Sequence, residues 1–251
     1  MTTASTTPRV AIVTGGADGF GAAICDRFSQ EGWKVLILDL NQQKGEEKTR
    51  QDGNLRYMFG DVASRATWEQ ALQSVQAEFG RVDLVVNNAG ITGNPTPTHL
   101  KDIAEYEKTF RVNVLPIFLS TQVIAPAMME QGNGAFVNIT STGCTRPRPG
   151  FAFYNSSKAA VSVATKTMAL EYAPKIRFNC VAPAVGQTSM LQASIGQGAD
   201  SQERLRKIEE SLPMRRVTQP SDIANAVWYL GTDQSSFVTG TTLEVDGGRG
   251  V

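Results

Sequence analysis

The 251-residue chain has one histidine, His99, in the polar run Pro95-Thr96-Pro97-Thr98-His99. A mechanism built on a histidine base or on several histidine ligands has almost no material here, which removes most hydrolase and zinc-enzyme readings. Cysteine is scarce too. Cys25, Cys144 and Cys180 are odd in number, far apart and without C-x-x-C spacing. Neither a disulfide framework nor a metal site is indicated, and a reducing, cytoplasmic compartment is expected. Charge of one sign is not in excess, since 24 Lys plus Arg balance 24 Asp plus Glu. Without a global basic field, nucleic acid and anionic membrane are poor partners and a small molecule is the better one. No uninterrupted apolar stretch approaches the ~18 residues that a membrane-spanning helix requires. Residues 1–8 are rich in Thr and Ser and lack an apolar run behind a basic start. They read as a flexible tail, not a secretory signal, ahead of a single domain over 9–251.

What is present is a repeating order of short and long apolar segments. Runs of strand length occur at Val10 to Val13, Val35 to Leu38, Leu55 to Phe59, Val82 to Val86, Ala135 to Ile139, Ile176 to Val181 and Thr242 to Val245. Between them, helical periodicity runs over Phe20 to Gly32, Thr67 to Phe79, Ile103 to Met129, Ala159 to Tyr172 and Ser221 to Leu230. Strands that are apolar throughout and alternate with helices predict an α/β fold, a Rossmann-like doubly wound sheet of about seven parallel strands with helices on both faces. Leu191 to Ser201 reads as a surface insertion and a candidate lid.

The first strand is followed directly by Thr14-Gly15-Gly16-Ala17-Asp18-Gly19-Phe20-Gly21 and then a helix. Strand, glycine turn and helix in that order suit a dinucleotide. Glycines let backbone N–H groups approach a pyrophosphate, and the helix N-terminus stabilises its charge. Gly15, Gly19, Phe20 and Gly21 are the expected contacts. Asp39 closes the second strand 18 residues beyond Gly21. There a carboxylate can accept from the adenosine ribose hydroxyls and repel a 2′-phosphate, so NAD is preferred over NADP; the alternative is a polar residue that merely closes a strand. Asp18 adds to that repulsion or simply bonds within its turn. Asp61-Val62 is placed to bracket the adenine, with a helix N-cap the alternative for Asp61. Asn87-Asn88-Ala89-Gly90 follows the fourth strand, which puts Asn87, Ala89 and Gly90 at the same edge.

Tyr154 and Lys158 are four apart in Tyr154-Asn155-Ser156-Ser157-Lys158 and share one face of a helix. Bringing a phenol from about 10 to near neutrality takes roughly 4 kcal/mol, of the sign a nearby ammonium supplies. Tyr154 could then serve as general acid for ketone reduction and base for alcohol oxidation. Ser141, 13 residues earlier, ends the strand Ala135 to Ile139, where open α/β sheets bind ligands, and could hold the substrate oxygen. Thr140 and Thr142 flank it, and its spacing to Tyr154 selects Ser141. Arg146 and Arg148 bind a substrate carboxylate or phosphate, or belong to a proline-stiffened loop. Cys144, Phe151, Phe153, Met190 and Leu191 line a substrate pocket or fill the core.

Together these segments resemble the short-chain dehydrogenase/reductase family across nearly the whole chain. The match runs from the glycine loop through Asp61-Val62, Asn87 to Gly90, Asn113, Ser141, Tyr154 with Lys158, and Val238-Thr239-Gly240, to Val245-Asp246-Gly247-Gly248. The resemblance implies a catalytic tetrad of Asn113, Ser141, Tyr154 and Lys158. It implies that Lys158 also holds the nicotinamide ribose and, through water near Asn113, links Tyr154 to solvent. The implied activity is NAD(H)-dependent interconversion of a secondary alcohol and a ketone by a homodimer or homotetramer. A sensor or scaffold without turnover, or a lyase or cyclase, is the alternative. One departure is Ala184 in Pro183-Ala184-Val185-Gly186-Gln187-Thr188, where the family has glycine. Gly186 is expected to restore the turn, and with Thr188 to place the carboxamide.

Overall fold

The computed structural model describes residues 7–188, 191 and 199–251. Seven strands form one sheet: β1 (Val10–Thr14), β2 (Lys34–Asp39), β3 (Leu55–Phe59), β4 (Leu84–Asn87), β5 (Gly134–Ile139), β6 (Ile176–Pro183) and β7 (Thr242–Val245). Their order is β3-β2-β1-β4-β5-β6-β7, and every pair is parallel. All five residues of β1 are buried because both faces of the sheet are covered, as its unbroken Val and Ile content predicts.

Side chains of β1 alternate between two cores. Val10 and Ile12 join Trp68, Ile124, Phe136, Met168 and Phe178 on one face. That face is covered by α3 (Arg65–Phe79), α5 (Leu115–Gln131) and α6 (Ala152–Tyr172), while α4 (Ile103–Asn113) packs against α5 and α6. Ala11 and Val13 join Phe28, Ile37, Leu84, Val227 and Leu230 on the other, under α1 (Gly19–Gln30) and α8 (Pro220–Gly231). Phe28 is fully buried with its ring 5.0 Å from those of both Trp33 and Trp228. Truncating it to Ala would cost about 3–5 kcal/mol. Among the described residues, helices α2 (Gln42–Gln51) and α7 (Ala199–Glu210) contribute none to either core.

Two features differ from expectation. Helix α2 was not expected, because it is polar almost throughout and buries only Gly45; its start is fixed by Asn41, whose side chain accepts from the Lys44 amide at 3.1 Å. The segment Ile103 to Met129 is two helices that meet at Val114. Pro116, in the first turn of α5, lacks the amide that a continuous helix would donate. Together α4 and α5 are long and apolar enough for a membrane crossing by composition alone. Ile117, Ile124 and Met128 instead pack into the core. Helix α6 begins at Ala152, so it carries both Tyr154 and Lys158. Most of Leu191 to Ser201, with its lid reading, lies outside the described residues, as does Met190.

Candidate active site

Because every strand runs the same way, the carboxyl ends of β1, β4, β5 and β6 share one edge, and a crevice opens where the strand order reverses between β1 and β4. A cleft of 720 Å³ lies there. Its lining brings together Gly15, Asp18, Gly19 and Phe20 from the turn into α1, Asn88 to Gly90 after β4, and Ser141 after β5. Tyr154 and Lys158 of α6 join them, with Pro183, Gly186 and Thr188 after β6.

In the turn, Gly15 and Gly19 have φ of +63° and +57°, where side chains other than glycine are strained. A Cβ on Gly21 would stand 2.0 Å from the Gly15 carbonyl oxygen, so α1 packs directly on the loop. The first bond inside α1 runs from the Ala22 amide to the Asp18 carbonyl at 3.1 Å, and the Asp18 carboxylate accepts from the Gly19 amide at 2.7 Å. The amides of Phe20 and Gly21 are left without a partner in the helix, at its positive end. A pyrophosphate fits this cradle. Asn88 braces it, donating to the carbonyls of Thr14 at 2.9 Å and Gly15 at 3.2 Å. The Thr14 hydroxyl accepts from the amides of Asn88 and Ala89 at 2.9 and 3.0 Å.

At the end of β2, the Asp39 carboxylate accepts from the amides of Ala17 at 3.0 Å and Asn41 at 2.9 Å. Two fixed donors hold it while lone pairs remain for a ribose. Asp18 bonds within its turn and also pairs with Lys44 at 2.6 Å, which offsets its charge. Asp61 accepts from the Ala63 amide at 2.9 Å and pairs with Arg111 at 3.1 Å. The N-cap of α3 is Ser64. Val62 is buried in the core, its carbonyl accepting from the Trp68 indole at 2.9 Å. Asn87 is buried and donates to Ser120 at 3.1 Å and Asn138 at 2.9 Å, tying β4 to α5 and β5. Asp39, Asp61, Val62 and Asn87 are not among the residues that line the cleft.

Around Tyr154, the Ser141 hydroxyl accepts from the Gly143 amide at 3.0 Å and lies close enough to the phenol to favour its ionised form. The neighbouring hydroxyl of Thr140 donates to the Val181 carbonyl at 3.2 Å and Thr142 is buried, so of the three Ser141 faces the phenol. Lys158, 5% exposed, donates to the Ile139 carbonyl at 2.8 Å. Burial pushes its ammonium down to about 8. Burial also pushes the Tyr154 phenol above its ordinary value, against the opposing pull of the Ser141 hydroxyl and the Arg148 charge. In the protein alone, then, desolvation favours the neutral form of both groups.

Asn113 is locked to Ile91 in both directions, accepting from its amide at 2.8 Å and donating to its carbonyl at 2.9 Å. It also donates to Ser157 at 3.0 Å, which joins α4 to α6. A Cβ on Gly90 would stand 3.1 Å from Asn113 Oδ1 and 3.2 Å from Lys158 Nζ, so the two groups flank one bare stretch of backbone.

Gly186 has no positive φ and does not replace the glycine missing at Ala184. A Cβ there would stand 2.0 Å from the Phe20 ring, so its role is close approach to α1. The Thr188 methyl lies over Gly19, 3.3 Å from where a Cβ would sit. Phe151 and Leu191 line the cleft, whereas Cys144 and Phe153 do not. Phe153 packs edge-to-face against Tyr106, with ring centroids 5.5 Å apart. Asn88, Asn155, Arg204, Lys207 and Arg249 also line it, and none was expected from the sequence. The pairing of Asn88 with the glycine loop had one sequence signal, its place in the Asn87 to Gly90 motif.

The family described as Enoyl-(Acyl carrier protein) reductase matches residues 15–249. The 4-formylbenzenesulfonate dehydrogenase of Comamonas testosteroni is 40% identical over 97% of this chain and 98% of that protein. Cyclopentanol dehydrogenase of Comamonas sp. is 35% identical over 96% of each. The crystal structure of 3-ketoacyl-(acyl-carrier-protein) reductase from Brucella melitensis complexed with NADH superposes with a TM-score of 0.90 at 34% identity, over 98% of this chain and 100% of that one. With its seven-stranded parallel sheet, its ordered motifs and this likeness to dehydrogenases and reductases over nearly its full length, the chain belongs to the short-chain dehydrogenase/reductase family.

Proposed function

We propose that this oxidoreductase interconverts a secondary alcohol and a ketone, or a related carbonyl, with NAD(H), and that Tyr154 is its general acid and base. The observation that carries the reading is the meeting of Ser141, Tyr154 and Lys158 in the same cleft as the open amides at the start of α1. Gly15, Gly19, Phe20 and Gly21 would hold the pyrophosphate, Asp39 the adenosine ribose, Lys158 the nicotinamide ribose, and Gly186 with Thr188 the carboxamide. Bound there, the nicotinamide supplies or accepts the hydride. Ser141 holds the substrate oxygen against Tyr154, which gives its proton to that oxygen in reduction and takes it back in oxidation. Lys158 stabilises the phenolate left behind, and Asn113 positions the helix that carries both.

A phenol pushed up by burial stays protonated at neutral pH, which suits it to donate. Carbonyl reduction should therefore fall, and alcohol oxidation rise, as pH increases. The Asp39 carboxylate supports NAD over NADP, while Lys44 cancels much of the field of Asp18. Free cysteines agree with a cytoplasmic setting. Exposed Leu115 and Phe118 of α5 with Val163 and Leu170 of α6 give an apolar face suited to pairing subunits. Fully exposed Phe237 adds a further apolar point, and these exposures support a homotetramer or homodimer.

The test is NADH and NADPH consumption with cyclic ketones and aromatic aldehydes. Turnover with NADH at least about tenfold more efficient than with NADPH is expected from charge repulsion at Asp39. NADPH preference, or no turnover with either cofactor, would sink the reading.

A further inference from the structure

The cleft is charged in a way that hydride transfer does not need. Besides Lys158, its lining includes Arg148, Arg204, Arg249 and Lys207, the last paired with Glu203 at 3.5 Å, and among the described residues its one acidic member is Asp18, already paired with Lys44. Elsewhere arginines find carboxylates: Arg27 with Glu31, Arg56 with Glu78, Arg81 with Asp83. Arg146 donates to the Gly250 carbonyl at 3.2 Å and stays out of the cleft. Among the described residues, neither the Arg148 nor the Arg249 guanidinium makes an ion pair.

The two are brought together by stitching between the loop after Ser141 and the C-terminal segment. The Arg146 bond to Gly250 is one stitch, and the Thr145 hydroxyl donating to Glu244 at 3.0 Å is another. Pro147 and Pro149 stiffen the chain on either side of Arg148. Its guanidinium lies 4.9 Å from the Phe151 ring centroid, on an aromatic surface that itself lines the cleft. Its charge reaches the Tyr154 phenol, and the charge of Arg249 opposes its own. Two like charges that face one cleft with no ion pair of their own among the described residues attract an anion into it. The cofactor's pyrophosphate does not account for them, because its cradle is Gly15 to Gly21 while Arg148 belongs to the loop that carries Ser141.

We infer that Arg148 and Arg249 form an oxyanion subsite, and that the substrate is an alcohol or carbonyl compound bearing a sulfonate or carboxylate, separated from the reacting carbon by an apolar spacer laid on Phe151. This rests on the dehydrogenase reading and names its substrate class. A guanidinium fork matches the planar or trigonal oxygens of such a group with two hydrogen bonds, which a neutral analogue does not receive.

The test is titration calorimetry of benzenesulfonate against the nearly isosteric, neutral benzenesulfonamide, with and without NADH. Benzenesulfonate should bind the wild type roughly tenfold or more tightly than the sulfonamide. That advantage should vanish in Arg148→Ala/Arg249→Ala and shrink in Arg148→Lys, which keeps the charge but loses the fork. NADH affinity in the variants should stay within about twofold of wild type, which also shows that they are folded. Equal affinity for the two probes, no binding of either, or an advantage that survives the double substitution overturns the subsite. Failure of the wild type to bind NADH would instead remove the cofactor reading, and the two probes still report on the arginines in its absence.

Discussion

Lys158→Met separates what the site needs for chemistry from what the fold tolerates. The lysine is almost wholly buried, and desolvation pushes its ammonium from 10.5 to about 8. At about 1.4 kcal/mol per pH unit, that gap amounts to roughly 3 kcal/mol by which the protonated side chain destabilises the folded state. Methionine keeps the aliphatic stem and removes the charge, but leaves the Ile139 carbonyl without the donor it has at 2.8 Å. An unpaired buried carbonyl costs about 1–3 kcal/mol. At pH 7 the variant should therefore be as stable as wild type or up to about 2 kcal/mol more stable, while losing turnover.

The pH dependence is the sharper signature. The folded pKa lies below the unfolded one, so below pH 8 both states hold the proton and the penalty is full. Between there and 10.5 the unfolded chain keeps a proton that the folded protein has released, and wild-type stability rises with pH. Lys158→Met lacks that rise. Urea unfolding followed by tryptophan fluorescence from pH 7 to 10 should show wild type gaining about 2–3 kcal/mol on the variant. Parallel curves, or a variant that loses several kcal/mol at every pH, would refute the buried-ammonium argument.

Asp39→Ala should improve the NADP-to-NAD efficiency ratio by about tenfold or more, read from initial rates; an unchanged ratio would remove Asp39 from cofactor choice. Gly21→Ala forces a Cβ to 2.0 Å from a backbone oxygen, which cannot swing away as a side-chain tip can. NADH binding by fluorescence should be lost, and near-normal affinity would mean that the loop is not the phosphate seat. Asn88→Ala removes two hydrogen bonds to the Thr14 and Gly15 carbonyls. NADH affinity should fall by up to about thirtyfold, with kcat affected less, at roughly 1 kcal/mol per bond.

The sheet was legible because burial on both faces demands unbroken apolar strands, and residues such as Ile12 and Val13 serve opposite cores. Glycine spacing, Ser141 and the Tyr154 to Lys158 step are properties of neighbours in the chain, and the structure brings them to one cleft. Helix α2 was not legible, since it buries almost nothing and a hydrophobic pattern has nothing to mark. Gly186 was expected to relieve a turn and instead makes room for Phe20, a contact between distant segments. Arg249 lies about a hundred residues from Arg148 in sequence, and their approach exists only once the C-terminal segment is sewn to the loop after β5. Nor could spacing foretell that burial raises Tyr154 and lowers Lys158, because desolvation depends on everything packed around them.

The central claim is that the phenol of Tyr154 moves the proton while the cofactor is held independently of it. Tyr154→Phe removes one oxygen and leaves the ring. NADH consumption and NADH binding measured side by side should show turnover down by at least a hundredfold, the scale of a lost general acid, with affinity for NADH little changed. Turnover that persists in this variant, with the cofactor still bound, would contradict the account.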